Sequence, residues 1–183
     1  MIDEKQIALA VDWVGQSSLV GWYASEKLNG CRAYWDGVQF WTREGRVIDA
    51  PEWFTKDLPK IHLDGEIHAG RGVGVGNNNS AYKISMAAVV HGGEWFRQTD
   101  AGEAIRFTTF DAPQADGDWP DRLRQIPTDH AIDFTTIVNP RHLVEYMMEL
   151  RRVGAEGAMF RNPDEIGYHA GRTGSLLRWK FEK

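Results

Sequence analysis

The sequence predicts an α+β fold built on antiparallel sheet. Over residues 31–48, bulky and polar residues alternate around Asp36-Gly37, a dipeptide typical of a tight hairpin turn, and Glu44-Gly45 offers a second turn. This pattern predicts an antiparallel meander. Strand-like and helical segments are interleaved in one layer system, which favours an α+β domain over a doubly wound parallel sheet.

Five later segments rich in β-branched, aromatic or aliphatic residues are predicted as strands. A helix is predicted after Asn139, which acts as its N-cap, with Leu143, Met147 and Leu150 on one face and Gly154 at its end. The strands are predicted at 61–68, 105–110, 134–138, 157–161 and 176–181, and two further helices at 51–58 and 80–88.

The length and composition favour one domain. The chain has 183 residues, 42% of them hydrophobic, so residues 1–183 can bury a single sizeable core. The N-terminus lacks a basic segment followed by a long apolar one, and no later stretch approaches the roughly 18 apolar residues of a membrane helix. We therefore expect a cytoplasmic protein without a membrane partner. The one cysteine, Cys31, cannot form an internal disulfide, and no CxxC or His-x-x-His spacing marks a zinc site.

The charge pattern limits how the chain could bind nucleic acid. A formal net charge of −5 argues against a protein that coats nucleic acid by charge alone. Residues 100–135 contain eight acidic residues against three arginines, whereas 141–183 contain eight basic residues against six acidic ones. Phosphate contacts should therefore lie away from the middle segment. The glycine-rich run at 70–79 lacks the Gly-Lys-Ser/Thr ending of a phosphate loop, so we predict an ordinary surface loop there.

A candidate nucleophile is Lys27, which ends an apolar stretch directly before the turn-forming pair Asn29-Gly30 and Arg32. A lysine at such a turn can be aimed into a cleft. Covalent catalysis by lysine requires the neutral amine, which desolvation or neighbouring cations favour. Taken alone, the segment fits a solvated surface lysine better; the rest of the chain weakens that interpretation.

Six short motifs follow one another along the chain. One such tetrapeptide is weak evidence, whereas six in this order are strong evidence. They are Lys27-Leu28-Asn29-Gly30-Cys31-Arg32, Thr42-Arg43-Glu44-Gly45, Leu63-Asp64-Gly65-Glu66, Thr109-Phe110-Asp111-Ala112-Pro113, Glu156-Gly157-Ala158-Met159-Phe160-Arg161 and Leu176-Leu177-Arg178-Trp179-Lys180. With them, residues 21–180 resemble the ATP-dependent DNA ligases of the covalent nucleotidyltransferase superfamily, especially the small bacterial and viral type.

The resemblance implies an antiparallel-sheet nucleotidyltransferase domain of the ATP-grasp-like kind and a covalent chemistry. Lys27 would attack the α-phosphorus of ATP, expel pyrophosphate and carry AMP. Lys180 would contact the α-phosphate and, by like-charge repulsion, help to keep Lys27 deprotonated, with Arg178 nearby. AMP would then pass to the 5′-phosphate of nicked double-stranded DNA, which is joined to the 3′-hydroxyl.

The resemblance also implies roles for other residues that match positions in the family's motifs. Glu66 matches the carboxylate that binds the ribose hydroxyls, and Phe110 matches the aromatic residue that stacks on adenine. Glu156 matches the acidic residue that organises Mg2+, with Glu66 as a second candidate ligand. Glu26 is a further candidate for binding the nucleotide, and Arg32 and Arg43 match basic residues that hold the nucleotide or the 5′-phosphate.

The chain departs from the family's pattern in three places. Asn29 replaces the usual aspartate, and Arg178 stands where relatives often carry lysine. The sequence also stops three residues after Lys180, where the family continues into an OB-fold domain. The resemblance therefore implies a core without that domain, either excised or served by a separately supplied OB-fold or DNA-binding partner.

Two other classes of function stay open at this point. An RNA ligase or a GTP-dependent RNA-capping guanylyltransferase shares the Lys-x-x-Gly nucleophile. A nick-binding or nucleotide-binding module without useful catalysis is the other alternative. The residues around the first motif, Ser25-Glu26-Lys27 and the run 33–37, are closer to small DNA ligases.

Overall fold

The computed structural model describes residues 6–70, 79–96 and 105–181. Within them the chain forms ten β-strands, four α-helices and a 3-10 helix at Gly93–Phe96. Residues 71–78, most of the glycine-rich run predicted as a surface loop, lie outside the described part. The strands are β1 (Ala8–Asp12), β2 (Tyr23–Lys27), β3 (Cys31–Trp35), β4 (Phe40–Thr42), β5 (Val47–Ile48), β6 (Leu63–His68), β7 (Arg106–Asp111), β8 (Phe134–Thr136), β9 (Gly157–Arg161) and β10 (Gly171–Lys180). The helices are α1 (Glu52–Thr55), α2 (Asn79–His91), α3 (Trp119–Leu123) and α4 (Pro140–Arg152).

The strands form two five-stranded sheets rather than the single layer system predicted. Sheet A has the order β1-β10-β9-β2-β8, and sheet B has the order β5-β4-β3-β6-β7. Among these strands the pairings are antiparallel, except that β1 runs parallel to β10. The antiparallel α+β prediction is thus confirmed. The chain leaves sheet A after β2, builds sheet B from β3 to β7, and returns to sheet A with β8.

The meander predicted over residues 31–48 is confirmed as β3, β4 and β5. In its first turn Asp36 Oδ1 accepts hydrogen bonds from the amides of Val38 (2.9 Å) and Gln39 (2.8 Å). Gly37 follows in the left-handed region with φ +92°. The aspartate supplies the acceptor and the glycine supplies the backbone conformation, which is why this dipeptide predicts the hairpin.

Helix α4 lies where the sequence predicts it. Asn139 caps it by accepting a hydrogen bond from the His142 amide at 2.8 Å. Met147 and Leu150 are buried against one face of sheet A. The same cluster contains Leu19, Ala24, Ile137, Ala158, Phe160 and Leu177. Across the described ranges, no helix is long and apolar enough to cross a membrane.

A larger core cluster covers one face of sheet B. It combines Leu63 and Ile67 of β6 with Phe107 of β7 and Ala88 of α2. Because side chains alternate along a strand, Glu66 and its neighbours two residues away point to the opposite face. Each sheet therefore has one apolar face that packs against helices and one face that carries polar side chains.

Sequence patterns miss four elements, β1, β2, α3 and the 3-10 helix, and they place the start of β10 at residue 176 instead of Gly171. The first half of β10 is small and polar, so it has no apolar alternation to detect. It forms a strand because it pairs with β1, with Ala8 beside Gly171 and Leu9 beside Arg172. Both ends of the other four predicted strands fall within two residues of the prediction.

Candidate active site

A cavity of about 250 Å3 lies between the two sheets. Sheet A contributes residues of β1, β2, β9 and β10, and sheet B contributes residues of β3, β6 and β7. Seven of the predicted site residues line it: Glu26, Lys27, Arg32, Arg43, Glu66, Phe110 and Arg178. The two sheets therefore bring together residues that lie up to 152 positions apart in the sequence.

The strand register places two lysines in one row. In sheet A, Lys27 of β2 and Lys180 of β10 both pair with Gly157 of the intervening β9. Residues opposite one another in neighbouring strands share a face, so both amines rise from the same side of the sheet. A Cβ at Gly157 would stand 2.0 Å from the carbonyl oxygen of Trp179, so the row requires glycine between the lysines.

Glu156 links the two amines. Lys27 Nζ lies 2.6 Å from Glu156 Oε2, and Lys180 Nζ lies 3.2 Å from Glu156 Oε1. The side chains of Lys27 and Glu156 are 18% and 24% exposed, and Lys180 is 52% exposed. The structure thus gathers the three residues predicted to be catalytic into one ion-pair cluster, with Lys27 at the edge of the cavity.

Gly30 allows the first motif to pack against sheet B. Its amide donates to Glu66 Oε1 at 2.9 Å. A Cβ at this position would lie 2.3 Å from the Ile67 carbonyl oxygen, so only glycine fits. Burial raises the pKa of Glu66 to about 7, although the charges of Lys27 and Arg32 act in the opposite direction.

Arg32 is bound to a carboxylate of its own sheet. Its Nε and Nη2 donate to the two oxygens of the fully buried Asp64, at 2.6 and 2.5 Å. Burial alone would lower the pKa of Arg32, but Asp64 holds it above its usual value. The guanidinium carbon lies 4.6 Å from the centre of the Phe110 ring, a cation–π distance. Two residues predicted to hold the nucleotide are therefore in contact with each other.

A second buried ionic cluster joins the two sheets beside the cavity. Asp111 at the end of β7 binds Arg122 of α3 (2.7 Å) and Arg161 of β9 (3.0 Å). The Arg161 guanidinium also lies 4.8 Å from the Trp119 ring centre. Two guanidinium groups on one carboxylate leave a buried net positive charge, and Arg161 carries part of it into the cavity lining.

Comparison with known proteins agrees with this architecture. No family model matches the chain. It is 30% identical over 169 residues to a DNA ligase of Haemophilus influenzae, covering 87% of this chain and 58% of that ligase. It is similar to a solved Lig E DNA ligase, with a TM-score of 0.76, 28% identity, and coverage of 96% of this chain and 68% of that one. It also matches the Chlorella virus DNA ligase-adenylate structure, with a TM-score of 0.75 and 22% identity, covering 95% and 66% of the two chains.

The chain is similar in sequence to DNA ligases and shares the fold of solved DNA ligases. It spans 58% of the length of the Haemophilus ligase. Two solved ligases with this fold contain adenylate or ATP: the Chlorella virus ligase and the ligase of bacteriophage T7, the latter with a TM-score of 0.62 and 16% identity.

On this ligase fold, three further predicted residues line the cavity. Arg178 lines the cavity while its Nε donates to Asp12 Oδ1 at 2.6 Å. Arg43 follows β4, and Glu26 precedes Lys27 on β2. The structure gathers every predicted site residue around one cavity; their individual roles stay predictions.

Four residues of the ligase fold's cavity region received no role from the sequence. Asp64 and Arg161 stand within recognised motifs. On β9, Gly157, Met159 and Arg161 alternate with their neighbours, so the sequence pattern could have placed Arg161 on the same face of sheet A as Lys27. The other two are Tyr168 and Arg172, which lie outside the motifs. Their proximity to the cavity depends on long-range pairing.

The carboxylates at the cavity could hold Mg2+ only together with oxygen ligands from the substrate and from water. Within the described ranges there is no group of three or more His, Cys, Asp or Glu that could hold a metal ion. Glu66 and Glu156 are close enough that the charge of Glu156 contributes to the raised pKa of Glu66, after burial as the main cause. Mg2+ is commonly held by one or two carboxylates together with substrate phosphates and water. Glu66 and Glu156 fit that pattern.

Proposed function

We propose that this chain is the catalytic core of an ATP-dependent DNA ligase. Lys27 Nζ attacks the α-phosphorus of ATP, forming a P–N bond while the bond to the β-phosphate oxygen breaks and pyrophosphate leaves. A 5′-phosphate at a nick in duplex DNA then takes AMP from Lys27. Finally the 3′-hydroxyl attacks the adenylylated 5′-phosphate, forming the phosphodiester and releasing AMP.

The observation that carries the proposal is the cluster of Lys27, Glu156 and Lys180 at the edge of a cavity between two sheets. A lysine that is simply solvated at the surface requires neither a partly buried carboxylate nor a second cation beside it. Here the amine is mostly shielded, a second cation lies on the same carboxylate, and the lysine is the one that the ligase resemblance selects. These features fit covalent catalysis by lysine.

Nucleophilic attack requires the neutral amine of Lys27. In the structure its nitrogen lies 2.6 Å from Glu156, so the ion pair must open, the amine must release a proton to solvent, and the Glu156 carboxylate must take another cationic partner. Lys180, at 3.2 Å from the other oxygen, is already in place. Mg2+ bound by Glu156 and Glu66 with phosphate oxygens would supply further charge stabilisation to the transferring phosphoryl group.

The nucleotide would be held mainly by residues of sheet B. Adenine stacking on Phe110 would share that ring with the Arg32 guanidinium, which is 4.6 Å from its centre. Glu66 would accept from the ribose hydroxyls, and Arg32, Arg43 and Arg178 would face the phosphates. Preorganised cations of this kind stabilise charge that develops during phosphoryl transfer.

Nicked duplex DNA is the proposed substrate, supported by the kinship with DNA ligases. Despite the net charge of −5, five arginines line the cavity: Arg32, Arg43, Arg161, Arg172 and Arg178. Such a local positive surface can hold a phosphate that the overall charge would repel. The affinity for nicked DNA should therefore fall steeply as the salt concentration rises.

The test is covalent labelling by α-radiolabelled ATP or GTP with a divalent cation, followed by denaturing electrophoresis. We expect ATP to label the wild-type chain and the Lys83→Ala variant, since Lys83 is an exposed residue of α2. Lys27→Ala should give no labelled band. Equal labelling of Lys27→Ala would overturn the proposal, a band from GTP alone would indicate a capping enzyme, and no band at all would favour a binding module.

A further inference from the structure

Tyr168 belongs to none of the six motifs, yet its hydroxyl reaches the residues that hold Arg32. The hydroxyl donates to Asp64 Oδ2 at 2.6 Å and accepts from the Ala8 amide at 2.7 Å. Arg32 Nη2 donates both to Asp64 and, at 3.0 Å, to the Ala8 carbonyl. Tyr168, Asp64, Arg32 and the backbone of β1 therefore form one closed network.

The network joins four parts of the chain. Tyr168 lies in the connection between β9 and β10, Ala8 is in β1, and Arg32 and Asp64 are in β3 and β6. Asp64 is fully buried, and Ala8 is 5% exposed. Burial raises the pKa of Tyr168, so the hydroxyl stays protonated and keeps its donor role toward Asp64.

Removing the hydroxyl would affect two buried groups at once. Asp64 Oδ2 would lose one of its two neighbouring donors, and the Ala8 amide would lose its acceptor. The Arg32 guanidinium is held by the same Asp64 carboxylate and by the carbonyl oxygen of the same residue, Ala8. A shift of Asp64 or Ala8 would move the Arg32 guanidinium relative to the Phe110 ring, whose centre lies 4.6 Å from the guanidinium carbon in the cavity lining.

We propose that Tyr168 is a positioning residue for nucleotide binding, which holds Asp64 and thereby fixes the Arg32 guanidinium against the nucleotide cavity. This inference rests on the proposed function, because it assigns Tyr168 a part in the affinity for ATP. Tyr168 itself does not line the cavity. It acts through Arg32 and has no direct contact with the reacting atoms of Lys27, Glu156 and Lys180.

The first test compares Tyr168→Phe with Tyr34→Phe. Tyr34 is a buried tyrosine whose backbone pairs with Asp64, but whose hydroxyl bonds to His62 Nδ1 at 2.9 Å. We expect Tyr168→Phe to raise the ATP concentration for half-maximal Lys27 adenylylation about tenfold, while the rate at saturating ATP changes less than twofold. Tyr34→Phe should change neither quantity. Equal ATP dependence in all three proteins would overturn the inference.

A double-mutant cycle separates positioning from general loosening of the fold. If Tyr168 acts through Arg32, Tyr168→Phe should have little further effect on ATP affinity in an Arg32→Lys chain, because lysine cannot make the two-pronged contact with Asp64. Additive losses of affinity would mean that Tyr168 acts independently of Arg32 and would overturn the inference.

An NMR measurement decides the inference without relying on activity. The Nε proton of Arg32, assigned by its loss in Arg32→Lys, should exchange with water at least fivefold faster in Tyr168→Phe than in wild type or Tyr34→Phe. Unchanged exchange would contradict the positioning role. If the wild-type chain neither binds nor is labelled by ATP, the proposed function fails, and the exchange rates still show whether Tyr168 fixes Arg32.

Discussion

At the scale of single residues, Glu156 is central because it contacts both lysines of the cluster. Its two oxygens lie 2.6 Å from the Lys27 amine and 3.2 Å from the Lys180 amine. The carboxylate sets the positions of both cations and is also a candidate Mg2+ ligand. Changes at Glu156 and Lys180 should therefore affect chemistry more than folding.

We predict that Glu156→Ala and Lys180→Ala each slow Lys27 adenylylation at least about a hundredfold, because removing one preorganised charge from such a site costs roughly 3 kcal/mol. Single-turnover labelling with ATP measures the rate. Glu145→Gln, an exposed change on α4, is the control and should match wild type. Near-normal rates in both charge variants would show that the last two motifs are misassigned.

The departure at Asn29 leads to a second prediction. Asn29→Asp restores the residue usual in the family, beside Lys27 and Gly30, which already fit the pattern. We expect adenylylation to stay within a few fold of wild type or to become faster, as measured by the same single-turnover assay. A large loss of activity would mean that the pocket has adapted to the amide.

Cys31 should be chemically inert in the folded protein. It is 8% exposed, and burial, helped by the charges of Glu66 and Glu44, raises the pKa of its thiol to about 12. At pH 8 the thiol would therefore be almost entirely protonated and unreactive. A thiol reagent such as DTNB should thus label Cys31 only after denaturant unfolds the chain. Rapid labelling of native protein would contradict this burial.

At the scale of elements, the central feature is the row made by β2, β9 and β10. Lys27 and Lys180 face the same side because each pairs with Gly157. The close approach of the Trp179 carbonyl leaves no room for a side chain at that position. The glycine at position 157 therefore determines both how closely β9 and β10 pack and how far apart the two amines lie.

We predict that Gly157→Ala lowers the thermal midpoint and reduces adenylylation, because its Cβ would meet the Trp179 oxygen at 2.0 Å and force the strands apart. Overpacking of this kind costs roughly 1–3 kcal/mol. The matched control is Gly174→Ala on β10, where a Cβ meets nothing within 4 Å. Thermal melts and labelling should show Gly174→Ala close to wild type; similar losses in both variants would contradict the packing argument.

At the scale of the whole molecule, two buried networks of charged and polar side chains, centred on Asp111 and on Asp64, connect the two sheets beside the cavity. Asp111 of sheet B binds Arg161 of sheet A, and Asp64 of sheet B is bonded to Tyr168 just before the last strand of sheet A. The apolar clusters lie on the other faces of the sheets. Polar contacts therefore carry much of the connection between the sheets.

We predict that Asp111→Asn destabilises the fold by about 3–5 kcal/mol, because two buried arginines lose their compensating charge. Urea unfolding followed by tryptophan fluorescence measures this. The exposed pair Arg141–Glu145 provides the contrast: Glu145→Gln should cost no more than about 0.5 kcal/mol. Equal losses of stability would show that the Asp111 cluster does not hold the sheets together.

Local chemistry in the sequence determined much of this protein. The Asp36-Gly37 turn and the Asn139 cap could be predicted because the residues that form them are neighbours in the chain. The six motifs identified every residue of the Lys27, Glu156 and Lys180 cluster, since each motif is a short local pattern.

Only the tertiary structure decided how the strands divide into two sheets and which residues support the cavity. The β1–β10 pairing joins the two ends of the chain, and Tyr168 is 104 residues from the Asp64 carboxylate that it holds. The start of β10 is polar and becomes a strand only by pairing with β1. Such contacts depend on backbone hydrogen bonding and burial between distant segments, which leave no periodic signal in either segment alone.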